Sequence, residues 1–158
     1  MSVPTIRAAT PDDIPVTAAM VQELLSEIMA ETGLNAFETD HATTERLLTS
    51  YIETSSYIVF VAIVEGGPPA GFIGLTPCRS LYANGDFGII PELYVRKSFR
   101  SCGLGHALVE AGKEYGARLG WKRLEVTTPP IPPFGRTERF YRSSGFVVTG
   151  GYKMKIVL

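Results

Sequence analysis

A chain of 158 residues with 45% hydrophobic content can bury one core and is short for two, so a single domain over residues 1–158 is expected. A formal net charge of −1 excludes a general nucleic-acid binder, which wants a marked basic excess or stripe. No apolar run reaches membrane length, no charged-then-apolar leader opens MSVPTIRAATPDD, and two isolated cysteines with two histidines make neither a disulfide framework nor a zinc set, which predicts a cytosolic chain without membrane or metal.

In chain order, Thr5–Ala8 reads as a short strand, after which Thr10 caps a helix with Pro11 at its first position and Asp12 and Asp13 at its positive end. That helix should run to about Glu31, with Met20, Val21, Leu24, Leu25, Ile28 and Met29 on one face and Gln22, Glu23, Ser26 and Glu27 on the other. Gly33 ends it, and a loop through Phe37 leads to a second helix from about Asp40 to Glu53. Tyr57–Val64 and Ala70–Thr76 are two strands joined through Glu65-Gly-Gly-Pro-Pro69, with Pro77 stopping the second. After the turn at Tyr82–Asp86 comes a strand from Phe87 to Val95. Pro91 inside it lacks a ladder donor, which marks either a sheet edge or a bulge.

The next segment carries the chemistry. Arg100-Ser-Cys-Gly103-Leu-Gly105 turns into a helix whose Leu104, Leu108, Ala111, Tyr115 and Leu119 recur at helical spacing. A glycine-containing turn at a helix start presents unpaired backbone N–H groups at the positive end of the dipole, beside cationic Arg96, Lys97 and Arg100, and so suits a phosphate or pyrophosphate. The loop is not a nucleoside-triphosphate loop, because Gly105-His106-Ala107 offers neither the lysine nor the hydroxyl that such a loop needs. Nor is it a dinucleotide fingerprint, because the third glycine position is Leu108 and residues 96–100 intervene after the strand.

Gly120 caps the helix, Trp121–Thr127 reads as a strand, and Thr128–Phe134 is a stiff proline-rich connection. A last helix from about Arg136 to Ser144 ends at Gly145, and Phe146–Thr149 with Tyr152–Val157 is expected to close the fold as a hairpin. The predicted order is β-α-α-β-β-β-α-β-α-β-β, a mixed central β-sheet flanked by helices.

Three pieces in this order, Glu92-Leu-Tyr-Val95, Arg100-x-x-Gly103-x-Gly105 and Phe140-Tyr141-x-x-x-Gly145-Phe146, resemble the GCN5-related N-acetyltransferases over nearly the whole chain. The resemblance implies that the loop cradles the pyrophosphate of acetyl-coenzyme A, through Arg100, Ser101, Cys102, Gly103, Leu104, Gly105 and His106. It implies that Pro91 marks a bulge where two strands splay to admit the thioester arm, and that the first two helices lie over the acceptor pocket, where Phe37, Glu38, Asp40 and His41 are near at hand.

Acetyl transfer to an amine needs the amine neutral, the thioester carbonyl polarised and the departing thiolate protonated. Glu92 and Tyr94 share one face of the strand, so if Leu93 and Val95 face the core, Glu92 faces the cleft as a candidate base, directly or through water. The N–H of Leu93 is the candidate for polarising the carbonyl, and Tyr94 and Val95 are expected to pair with the pantetheine amides. The resemblance makes the Tyr141 hydroxyl the general acid of a direct transfer, and leaves dimerisation open. The sequence departs from the family pattern at Phe134 and Thr137, where many members carry asparagine and alanine. A rival mechanism with a Cys102 thiolate paired to His106, and a rival role as a non-catalytic acyl-coenzyme A sensor, stand beside this reading.

Overall fold

The computed structural model describes residues 2–35, 39–129 and 134–158. They gather into two compact units, one ending at Thr127 and one running from Thr128 to Leu158. Phe37 and Glu38 of the expected loop, and most of the proline-rich connection (130–133), lie outside the described residues.

The first unit opens with β1 (Thr5–Ala8), a short 3-10 turn at Pro11–Asp13 and α1 (Ile14–Thr32). Thr10 N–H donates to Asp13 Oδ2 at 2.7 Å, while Arg7 grips both Asp13 oxygens at 2.6 and 3.0 Å, which pins the helix start to β1. The Arg7 bonds outweigh burial and hold the Asp13 carboxyl below its ordinary range. Asp13→Asn is therefore expected to lower stability at pH 7 by on the order of 2 kcal/mol, as a charge-assisted bond is lost. A depressed carboxyl stabilises above its unfolded pKa and loses that as pH falls through its folded pKa, so the wild-type advantage in denaturant titrations should vanish in acid.

Gly33 closes α1 in the left-handed region, its N–H on Met29 O at 2.9 Å. In α1 the deepest residues are Ile14, Thr17, Ala18 and Met20, whereas the half-buried stretch beyond them presents Glu23 and Glu27 toward β5. α2 (His41–Glu53) starts where Asp40 Oδ1 accepts from Thr43 N–H at 2.8 Å. Leu48 of α2 joins Ile14, Ala18 and Met20 of α1 over Val59, Val61, Phe72 and Tyr94 of the sheet.

The sheet has six strands: β2 (Ile58–Ile63), β3 (Pro69–Ser80), β4 (Gly85–Ile90), β5 (Leu93–Val95) and β6 (Leu124–Val126) join β1. Its order is β1-β2-β3-β4-β6, with β5 pairing β3, and only β6 runs parallel to its neighbour. Pro77 does not stop β3, contrary to expectation, and the register explains why. Gly88, opposite Pro77, turns its N–H to Arg123 O at 3.0 Å, so this pair exchanges no ladder bonds and the proline's missing donor faces the side past the start of β2.

The expected strand from Phe87 to Val95 is two strands broken by a bulge. Thr76 pairs with Ile89 but Ile73 pairs with Leu93, which places Pro91 and Glu92 together opposite Gly74. β6 follows β4 as far as the Ile90–Val126 pair and does not continue beside β5. α3 (Leu104–Arg118) packs on the opposite face from α1, and Gly112 and Gly116 let it approach Leu75 and Trp121 closely. Trp121 itself lies outside β6, its ring packed on Gly88 and Gly116, so β6 is shorter than the expected 121–127.

The second unit contains α4 (Gly135–Ser143), with Phe146 N–H returning to Tyr141 O at 3.0 Å. The expected closing hairpin is absent: residues 146–158 form no ladder, and Val147, Tyr152 and Ile156 are exposed. The Gly150-Gly151 pair offers a turn, but a two-stranded hairpin in water is marginal without a packed face. The observed order is thus β-α-α-β-β-β-β-α-β-α.

Candidate active site at the sheet fork

The bulge and the departure of β6 together create an open strand edge. Gly74 N–H donates to Glu92 O and Arg96 N–H to Ala70 O, both at 2.9 Å, so alternation turns the Tyr94 backbone groups toward Phe72 of β3. The amides of Leu93 and Val95 consequently point away from β3, to the side that β6 has left. The backbone pairing expected of Tyr94 is therefore taken up by β3, and the outward edge belongs to Leu93 and Val95. Within that edge, Val95 O already accepts from Arg100 Nε at 2.8 Å.

On the α1 side of this strand lie the side chains of Glu92 and Tyr94, as strand parity requires. The half-buried Glu92 carboxylate accepts a very short hydrogen bond from the Tyr57 hydroxyl. Burial pushes the Glu92 carboxyl above its ordinary range, against the opposing pull of the Tyr57 bond. It likewise pushes the Tyr57 phenol far up, with the Glu92 charge adding to the effect, so the phenol is the donor. Neighbouring Tyr94 gives its hydroxyl to Glu27 Oε1 at 3.0 Å and is held protonated, its pKa pushed up to about 12, first by burial and then by that bond.

The loop after β5 wraps a 3-10 turn, Lys97–Phe99, and reaches α3 through two left-handed residues, Ser101 (φ 63°) and Gly103 (φ 81°). Those reversals turn the first amides of α3 outward, and the space a side chain at Gly103 would occupy is open. Leu104 is buried, so it offers only its backbone, while Ser101, Cys102 and His106 are exposed and Gly105 is half-buried. The Cys102 thiol is directed to Arg100 O at 3.5 Å.

The cationic cluster differs from the sequence expectation. Arg100 binds both oxygens of Glu27 at 2.8 and 3.1 Å and stacks over the Tyr94 ring, and Arg96 binds both oxygens of Glu23 at 2.9 and 3.2 Å. Lys97 sits 3.8 Å from Glu27. The loop's positive charge is thus largely matched by α1, and its electrostatic pull on an anion rests mainly on the helix amides.

Sequence reasoning placed Glu92, Leu93, Val95 and the loop from Arg100 to His106 on one continuous strand-loop-helix; Glu92 lies instead in the bulge just ahead of β5, which carries Leu93 and Val95, and the loop follows into α3. It missed Tyr57, Gly74, Glu23 and Glu27. The partners of Glu92 and Arg100 lie 35 and 73 residues away, where no local pattern points to them. In the second unit Tyr141 is buried, its ring meeting Phe140 at 5.1 Å and Phe146 at 5.4 Å edge to face. Burial pushes its phenol well above the ordinary value. Among the described residues no cluster of His, Cys, Asp or Glu could hold a metal ion, and no helix is long and apolar enough to cross a membrane.

Residues 19–146 match the model of the acetyltransferase (GNAT) family, a span that includes β5, the loop, α3 and α4. The chain belongs to that family. No curated protein matches it in sequence. Among solved structures, an integron cassette protein from the mobile metagenome of Cole Harbour Salt Marsh is 25% identical, covering 97% of this chain and 90% of its own, with a TM-score of 0.79. A predicted acetyltransferase from Clostridium acetobutylicum, solved with acetyl-CoA, is 13% identical, with coverage of 98% and 96% and a TM-score of 0.80. Glucosamine-6-phosphate N-acetyltransferase from Arabidopsis thaliana is 16% identical, with coverage of 98% and 99% and a TM-score of 0.74. The mixed six-stranded sheet, packed between α1 and α2 on one face and α3 on the other, is therefore the GNAT fold, and the family supports acyl transfer.

Proposed function

We propose that this GNAT chain is an acetyl-CoA-dependent N-acetyltransferase that moves an acetyl group directly to a primary amine of a small molecule or peptide. One observation carries the reading: at the fork, a carboxyl with an elevated pKa, Glu92, lies beside an outward-turned strand edge that leads straight into an anion-binding helix start. The family match and the relative solved with acetyl-CoA support the choice of donor. The match also crosses the boundary at Thr127, which supports treating residues 1–158 as one functional domain.

The residues present suit that co-substrate. The outward amides of Leu93 and Val95 match a chain of amides laid along β5 as an added strand. The amides of Gly103, Leu104, Gly105 and His106 offer donors to a pyrophosphate, with Ser101 and Cys102 shaping the turn. In this reading those amides, rather than the guanidinium of Arg100 that Glu27 already engages, carry most of the anion recognition.

Acetyl-CoA, when bound, supplies the acetyl group as a thioester. Leu93 N–H polarises its carbonyl and Glu92 takes the proton of the acceptor ammonium directly or through one water, while the resemblance to the family assigns to the Tyr141 hydroxyl the proton returned to the departing sulfur. A carboxyl whose pKa is raised by burial holds an abstracted proton more firmly than an ordinary one, and so is the stronger base once ionised.

The test is release of coenzyme A thiol from acetyl-CoA across polyamines, aminoglycosides, amino acids and short peptides, with calorimetry of acetyl-CoA binding alongside. Turnover with one class establishes the enzyme and names its acceptor. Binding without turnover of any amine would favour an acyl-CoA sensor and overturn the proposal.

A further inference from the structure

We infer that Tyr57 is a positioning residue: its hydroxyl, seated in a socket that Gly74 leaves open, fixes the orientation in which Glu92 meets the acceptor amine. The inference rests on the acetyltransferase reading of Glu92 given above.

Three observations converge on it. First, Gly74 stands in the interior of β3 between Ile73 and Leu75, both fully buried, where glycine forgoes packing and weakens a strand. What it provides there is room, since a methyl group at this position would overlap the Tyr57 hydroxyl and ring. Second, the same glycine donates its N–H to Glu92 O at 2.9 Å and is opposed by both Pro91 and Glu92. One residue therefore fixes the backbone of Glu92 and the seat of its side-chain partner. Third, Tyr57 cannot swing away freely: the half-buried ring stands 6.2 Å from that of Tyr51 in α2, and its hydroxyl is tied to Glu92 Oε2. With Oε2 occupied, Oε1 is the oxygen left to take a proton.

Among the described residues, Tyr57 is the side chain that bonds Glu92. On the same face, Glu23 and Glu27 of α1 are paired with Arg96, Lys97 and Arg100 around Tyr94, and α2 contributes the neutral Tyr51. The Tyr57 bond favours the ionised carboxylate and so works against burial. Removing or displacing the hydroxyl leaves burial unopposed, and the base must then be freed of its proton at higher pH.

The experiment titrates the Glu92 side-chain carboxyl by 13C NMR in the full chain, for wild type, Tyr57→Phe and Gly74→Ala. With the acceptor identified by the thiol-release panel, it is paired with pH–rate profiles. In both variants the Glu92 midpoint and the acid limb of the profile are expected to rise by about one pH unit, the worth of one charge-assisted bond. Activity below the wild-type midpoint should fall by about tenfold, and the loss should vanish above the raised midpoint, while KM for acetyl-CoA stays put. An unshifted Glu92 midpoint in the variants overturns the inference. Glu92→Gln separates the two levels of the argument: if it turns over at the wild-type rate, the base reading itself fails. If it is slow while Tyr57→Phe keeps the wild-type profile, only the positioning role fails. Should phenylalanine at 57 compromise folding, Gly74→Ala, which keeps the hydroxyl and moves it, carries the same measurement.

Discussion

Glu92→Gln is expected to slow acetyl transfer at pH 7 by roughly a hundred- to ten-thousandfold, the usual worth of a positioned general base. Glutamine keeps the shape of the side chain and an oxygen that accepts from Tyr57, so the cradle around position 92 persists and the loss reports chemistry. The deficit should shrink as pH rises toward the pKa of the acceptor, about 10.4 for a lysine-like amine, because the amine then loses its proton unaided. A deficit of constant size across pH would assign Glu92 to positioning of the acceptor instead. Stability provides a control whose sign is opposite to that of activity. A carboxyl whose pKa is raised by folding contributes stability below its unfolded pKa and loses it as pH rises through the folded value. At pH 8 the Gln variant should therefore melt no lower than wild type, and a large drop in melting temperature would mean that inactivity came from misfolding.

Tyr141→Phe is the second large effect. The phenol is buried, which pushes its pKa well above the ordinary value, so on the proposed role the proton for a thiolate leaving group is in place. Phenylalanine keeps the edge-to-face contacts with Phe140 and Phe146 and removes only the hydroxyl. Turnover is expected to fall by about a hundredfold or more, with acetyl-CoA affinity by calorimetry unchanged within a few fold. Unchanged turnover would remove Tyr141 from the mechanism, and parallel losses in turnover and affinity would make it a packing residue.

What could be read in the sequence was whatever a few neighbouring residues decide. Gly33 and Asp40 bound the first two helices through local backbone geometry, and Pro91 marked an edge or a bulge because a missing N–H is a local fact, with the family resemblance pointing to the bulge. Pro77 was misread because its tolerance depends on which way Gly88 turns its N–H, and register is set by pairing across strands. The closing hairpin was misread for the converse reason, since the Gly150-Gly151 turn states a local preference that strands realise only against a packed partner. In the candidate site, the strand-loop-helix from Glu92 to His106 is contiguous and was legible. The network that tunes it was not, because Tyr57, Gly74 and Glu27 reach it only through the third dimension.

The fork of the sheet assigns separate duties to two halves of the same residues. Along β5 the amides of Leu93 and Val95 point outward, while the Val95 side chain packs toward Gly71 and Leu108 beneath α3. Whatever docks along this edge meets a surface made of peptide groups, which every residue except proline supplies alike. The side chains there are thus at liberty to drift among apolar types to suit the core, while recognition at the edge stays unaltered.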